Sequence, residues 1–375
     1  MVESHWARGY DLILHSEIAV PGATPCPPQP MADIRITRGS VPRTRGAMVS
    51  IGPDHSLLLD LDPTVRFRCT ADSVIVDPLP GANPARVSAL LIASALPACL
   101  WARREPVLHA SALVPAGASR AVAICGGSGS GKSTALEAML ARGAKAVGDD
   151  TVRVVSTGDT LVVSGLAAAY RRRRSAHDEH RETLPVAPDR QCARTPLEAI
   201  FLPRRAGEGE VPRFESVIGI AKLPALLSQR HRPAMPEALG IEAELLPQFV
   251  RLAALDVYLW FRPPGPLLLS DAELAFLEKV ARRAGMNERR WQRLPDFVST
   301  EAEGSYVIFS IPSGNYVALN SSANTIWEAL ADPTTEATLI DVLSGRYKVD
   351  HDTAAAAVTR TLRSLADLEL VRVAT

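Results

Sequence analysis

One stretch, CGGSGSGKST from Cys125 to Thr134, constrains this chain more than any other. Gly126-x4-Gly131-Lys132-Ser133 fits G-x-x-x-x-G-K-[ST], and the flanking sequence supplies what such a loop needs. "RAVAICGG" reads as a strand of small apolar residues running into the loop. "STALEAMLARGAK" reads as a helix leaving it, with Leu136, Met139 and Leu140 on one face and Gly143 as its stop. Strand, glycine loop and helix together turn backbone N–H groups and a helix N-terminus toward a polyphosphate. Gly126, Gly127, Ser128, Gly129, Ser130, Gly131, Lys132, Ser133 and Thr134 are therefore the expected cradle. In it Lys132 meets the β- and γ-phosphates and the Ser133 hydroxyl binds Mg²⁺. The competing reading is a glycine-rich turn with an exposed lysine.

Asp149 and Asp150 follow the first helix almost at once, in "AVGDDTVRVV". Adjacent side chains on a strand point to opposite faces. One carboxylate would then serve the metal, directly or through water, while the other faces an acceptor hydroxyl as general base. The alternative is a loop pair without a role. His109, in "VLHASAL", lies on a strand expected to neighbour the loop strand, which puts it either beside the phosphates or in the core.

A length of 375 residues exceeds what one core fills and predicts two or three domains. The 41 basic and 41 acidic side chains cancel, so no net charge draws the protein onto nucleic acid or an anionic membrane. Cys26, Cys69, Cys99, Cys125 and Cys192 form no C-x-x-C pair and read as reduced thiols of a cytoplasmic protein. "MVESHWARGY" lacks the basic start and apolar run of an export signal. The longest apolar stretch, Ser88 to Trp101, is broken by Pro97 and is expected to be a buried helix within Ala85 to Arg104 rather than a membrane span.

The predicted fold class is α/β. Residues 1–84 read as a mostly antiparallel β region, 85–287 as the domain built on the glycine loop, and 291–375 as a separate unit. In the middle domain "AVGDDTVRVV" and "TLVVSGL" predict a hairpin around "STGD", and "PLEAIFLP" and "DVYLWFR" predict later strands. Ser270 to Glu273 spells a capping box for the helix that closes it. Residues 171–195 are expected to be a polar loop, in which the run Tyr170 to Arg174 either is solvated or supplies cations to a phosphate or acidic peptide. The last unit reads as three short strands, with turns at Glu303-Gly304 and Ser313-Gly314, then three helices, which is winged-helix size. Trp260, Trp327 and Leu330 are expected in cores.

"LHASALVP" followed by "AVAICGGSGSGKSTALEAMLARGAKAVGDDTVRVV" resembles the catalytic core of HPr kinase/phosphorylase, closely over about fifty residues and loosely over 85–285. The resemblance implies an ATP-dependent, Mg²⁺-requiring kinase of a serine on a protein or peptide. His109, Lys132, Asp149 and Asp150 would form its active site, with Asp149 as base and Ser133 and Asp150 on the metal. Thr134 stands where that family carries glutamate, and the family's glycine-rich downstream signature has no counterpart, which leaves phosphorolysis unsupported.

"YVIFSIPSGNYVALNSSANTIWEAL" and "LADLELV" resemble PqqD-like domains, which recognise precursor peptides of ribosomal peptide modification. That resemblance implies a leader peptide adding a strand beside Asn315 to Leu319 and packing on the helix Asp352 to Leu368. Few basic residues on that helix argue against a DNA-binding winged helix. Together the two resemblances predict a tailoring kinase of a ribosomally made peptide, as in lasso-peptide pathways. The alternatives are a nucleotide-gated peptide chaperone and a small-molecule kinase. Partners are expected to be the precursor peptide, with neither nucleic acid nor membrane; homo-oligomerisation is left open.

Overall fold

The computed structural model describes residues 4–44, 46–158, 160–173, 181–207, 209–263, 269–282, 290–302 and 305–373. Arg174, the Glu303-Gly304 turn and the expected boundary at 287 lie outside them. The chain forms two compact units, Met1–Ala281 and Arg282–Thr375, each a mixture of strands and helices.

The first unit holds two large sheets. Eight strands between His5 and Pro78 make the first; it is mostly antiparallel, as expected, with parallel pairing of Ile34–Arg38 to both Leu12–Ser16 and Ser73–Pro78. Alternating apolar residues such as Leu12 and Leu14, or Val65, Phe67 and Cys69, are buried on its inner face. The expected apolar helix packs against that face as Pro84–Leu90, a π-helical turn Leu91–Ala95, and Leu96–Ala102. Pro97 has no N–H to give to the carbonyl of Ala93 four residues back, which accounts for the irregular turn. Among the described residues this helix alone is long and apolar enough to span a membrane; two-thirds of it is buried inside the unit.

The second sheet runs Lys145–Gly148, Ala110–Val114, Ala121–Cys125, Arg194–Arg205, Thr160–Gly165, Val152–Thr157 and Val107–Leu108, with Asp256–Arg262 and Arg213–Val217 branching from the long strand. The strand entering the glycine loop lies parallel to Arg194–Arg205, which lies parallel to Asp256–Arg262. The expected hairpin forms between Val152–Thr157 and Thr160–Gly165. The helix after the loop, Lys132–Ala141, buries Leu136 and Met139, and Gly143 takes a positive φ of 94° just beyond it. Ser270 caps Asp271–Arg282 reciprocally with Glu273, whose carboxylate also accepts from Trp260 and Arg262.

Three sequence expectations change. Residues 171–195 are not a loop throughout, because Ala169–Arg173 pairs antiparallel with Arg181–Pro185. "VLHASALVP" is not one strand: it breaks at His109, Val107–Leu108 pairing with Val152–Thr157 and Ala110–Val114 with the loop strand. Asp149 and Asp150 sit in a bend between two strands rather than on one, and Asp150 has φ 69°.

In the second unit Phe297–Ala302, Ser305–Ser310 and Tyr316–Ala318 form an antiparallel sheet, and Ser321–Ala329, Glu336–Tyr347 and His351–Asp367 are helices. A second small sheet of Arg290–Arg293, Thr334–Thr335 and Val371–Val373 was not foreseen. Ala354, Val358, Leu362 and Leu365 bury one face of the last helix against Trp327 and Leu330.

Candidate active site

The glycine loop leaves the end of Ala121–Cys125 and turns into its helix at Gly131, whose φ of 90° excludes other residues at little strain. That helix has no side-chain cap, so its first N–H groups keep no acceptor from the capping position. Side chains added at Gly127 or Gly129 would meet nothing within 4 Å, so the loop presents an open face. Lys132, although 6% exposed, lies folded over the loop, its Nζ donating to the carbonyls of Gly126 (2.6 Å) and Gly127 (3.0 Å). Ser130 Oγ is buried without a hydrogen-bond partner among the described residues. Open backbone, an ammonium within the cradle and an unsatisfied buried hydroxyl fit a bound nucleotide.

The aspartate bend is aimed by a close approach. Gly148 and Gly165 pack backbone against backbone; a Cβ on either would fall under 3 Å from the other's Cα. Asp149 thereby reaches the loop helix, accepting from Ser133 Oγ at 3.0 and 3.1 Å, from the Ser111 hydroxyl, and from the Arg171 N–H at 2.9 Å. A hydroxyl and a carboxylate offering hard oxygens side by side suit Mg²⁺, which takes one or two carboxylates and completes its shell with phosphate and water.

Asp150 turns the other way. Its Oδ1 lies 3.2 Å from His109 Nε2 and its Oδ2 3.7 Å from the Arg171 guanidinium. The same His109 nitrogen is 3.3 Å from Lys132 Nζ. It donates to Asp150 in one tautomer and accepts from Lys132 in the other. His109 stands in the strand break, with its N–H on the Gln229 carbonyl (2.9 Å) and its carbonyl receiving Gly126 N–H (3.1 Å), so its position is tied to the loop itself. Burial alone would raise the Asp150 carboxyl, but the His109 hydrogen bond and the surrounding cationic groups outweigh it and hold the carboxyl below the usual range. His231 is one of those neighbours, yet burial pushes it down to about 4, so at neutral pH it is uncharged and the carboxylate rests on His109 and Arg171.

The sequence-based division of labour, Asp149 as base and Asp150 on the metal, runs against this geometry. The carboxylate on the Ser133 hydroxyl is Asp149, because the bend turns Asp150 through a positive φ toward His109.

A cavity of about 310 Å³ opens on Asp150, lined by Ala93, His109, Arg171, His231 and Arg232. Neither His231 nor Arg232 was singled out from sequence, since nothing local marks them. The segment Gln229 to His231 arrives by backbone pairing along Val107 to His109. The Ala93 carbonyl, denied a partner at Pro97, is 3.3 Å from His231 Nε2 and accepts from Arg232 Nε at 3.0 Å. Ser111 was also missed, although its spacing of two from His109 was a readable signal. Of the run Tyr170 to Arg174, Arg171 joins the aspartates and Arg172 pairs with Glu137 on the loop helix (2.6 Å).

The model of the PqqD family (coenzyme PQQ synthesis protein D) matches residues 305–371, so the C-terminal unit carries a PqqD-like domain. No curated protein matches the chain. Among solved structures, the chain is similar to "TbiB1 in Complex with the TbiA(beta) Leader Peptide", at 24% identity, over 22% of this chain and 98% of that one, with a TM-score of 0.21. It is similar to "Lasso peptide synthetase B1 complexed with the leader peptide" at 22% identity, over 22% and 98%, with a TM-score of 0.21. Over 48% of this chain and 95% of the other it is similar to the Hpr(Ser) kinase/phosphatase from Coxiella burnetii, at 15% identity and a TM-score of 0.28.

Proposed function

We propose that the protein is a kinase that moves the γ-phosphoryl group of ATP to an alcohol of a ribosomally made precursor peptide, whose leader is held by the PqqD-like domain. The observation that carries this reading is the split aspartate pair: one carboxylate on the Walker-type serine hydroxyl, the next on a histidine that also touches the loop lysine. Holding a nucleotide needs only the first. A second carboxylate facing a cavity supplies what transfer to an alcohol needs.

Ser133 and Asp149 would hold Mg²⁺, which when bound would neutralise phosphate charge. Lys132 swings from the Gly126 and Gly127 carbonyls to the phosphates, and the first turn of Lys132–Ala141 presents its N–H groups to them. Asp150 accepts the hydrogen bond of the incoming alcohol and orients its oxygen. It receives the proton as that oxygen bonds to the γ-phosphorus, while Lys132 takes up charge developing on the departing diphosphate. A carboxylate held so acidic gains the proton late, which suits a loose phosphoryl-transfer transition state where positioning dominates.

The match to the PqqD family over 305–371 supports the peptide as acceptor. With its leader on one unit, the peptide offers its alcohol to the other at high effective concentration, and the catalytic cavity needs little sequence recognition of its own. Co-expression with the precursor peptide tests the reading by mass spectrometry: one added phosphate on a serine or threonine is expected. ATP consumed without phosphate on the peptide would instead identify a nucleotide-gated chaperone.

A further inference from the structure

Beyond Arg171 a second hollow of about 490 Å³ opens within the first unit. Its floor is the helix face bearing Ala85, Ala89 and Ile92, where i and i+4 residues stack and small side chains expose the backbone. Ile18 and Ala19, just past the end of the strand Leu12–Ser16, form a facing wall, with Glu17 and Arg38 at the rim. The two hollows adjoin in two ways. Arg171 lines both, and Ile92 in the groove is followed by Ala93, whose carbonyl fixes His231 and Arg232 in the catalytic cavity. Contacts therefore run in order from Lys132 to His109, Asp150, Arg171 and the groove.

We propose that this groove holds the stretch of the acceptor peptide flanking its alcohol, and that it selects small or medium apolar side chains there. The inference rests on the kinase reading and gives it a substrate preference independent of the leader. An alcohol placed at Asp150 has the nucleotide on the Lys132 side, and the chain that bears it then passes Arg171, the side chain common to both hollows. That path opens onto apolar surface from two elements, Ala85 to Ile92 and Ile18 to Ala19, that otherwise have no part in phosphate chemistry. A volume near 490 Å³ lies within the range of clefts that hold small ligands and short peptide stretches.

The test uses the full chain and two leaderless heptapeptides, Val-Leu-Gly-Ser-Gly-Leu-Val and Lys-Glu-Gly-Ser-Gly-Glu-Lys. The apolar peptide is expected to show a KM about tenfold or more below that of the charged one. Ala85→Trp, on the helix, and Ala19→Trp, on the facing wall, each fill the groove and should remove that difference while leaving the KM for ATP unchanged. Equal KM values in the unsubstituted protein, or a preference that survives both substitutions, overturn the proposal. So does a change from oligomer to monomer in Ala85→Trp, which would make the groove a contact between copies. Should neither peptide take up phosphate, the kinase reading fails separately. Fluorescence anisotropy of the fluorescein-labelled apolar peptide then decides: binding lost in Ala85→Trp sustains the groove, and equal binding in all three proteins dismisses it.

Discussion

The helices of the C-terminal unit and the helix leaving the glycine loop begin in opposite ways. Ser321–Ala329, Glu336–Tyr347 and His351–Asp367 each start beneath a side chain that accepts from their first turn: Asn320 from Ala323, Thr335 from Thr338, Asp350 from Thr353. Lys132–Ala141 starts on Gly131 with no such acceptor. The positive φ at Asp150 also has a different setting from those of the C-terminal unit. Lys348 and Glu369 lie just past helix ends, the ordinary place for a left-handed residue, whereas Asp150 follows a strand and has a carboxylate to aim. One unit follows the local rules that make a stable fold; the other breaks them where a ligand would satisfy the open groups.

That contrast predicts large chemical effects in one unit and small energetic ones in the other. Asp150→Asn should lower transfer by about a thousandfold with nucleotide affinity retained, whereas Lys132→Ala should weaken both; single-turnover rates with equilibrium nucleotide binding separate the two. If Asp149→Asn rather than Asp150→Asn shows that signature, the assigned roles are reversed. Deleting residues 291–375 should raise KM for the full precursor by about a hundredfold while changing a leaderless peptide less than about threefold. Equal effects on the two substrates would end the tethering idea.

Protonation of His231 gives the next effect. Its folded-state value near 4 lies below the ordinary 6.5, chiefly through burial, so an unfolded chain takes up the proton first. The associated stability is complete above about pH 6.5 and is lost as pH falls toward 4, by on the order of 3 kcal/mol. Denaturant midpoints across that window should flatten in His231→Gln. Asp149→Asn should raise the Mg²⁺ needed for half-maximal rate by about tenfold to a hundredfold, read from a Mg²⁺ titration. Smallest of all, Asp350→Ala should cost the C-terminal unit about 1 kcal/mol and leave transfer to a leaderless peptide unchanged.

Much of the site was legible because its parts are local. The glycine loop, its helix, the Asp149-Asp150 pair and the Ser270 capping box each announce themselves within about ten residues of sequence, as do the apolar faces that fold the C-terminal unit. Their periodicity and spacing reflect bonds and contacts made between near neighbours. The hairpin at Ala169–Arg173 was hidden by its charge, since arginine-rich strands lack the alternation that marks a buried face.

The sequence by itself determined which groups are present: a glycine loop with its lysine, two carboxylates, a histidine, and a PqqD-like domain. Tertiary structure decided which carboxylate faces what, because that rests on Gly148 meeting Gly165 and on a positive φ at Asp150. It alone brought His231 and Arg232 to the cavity, through backbone pairing with a strand more than a hundred residues earlier and a carbonyl left open by Pro97. Pairings over such distances are set by the shape of the packed core and leave no period in the chain to read.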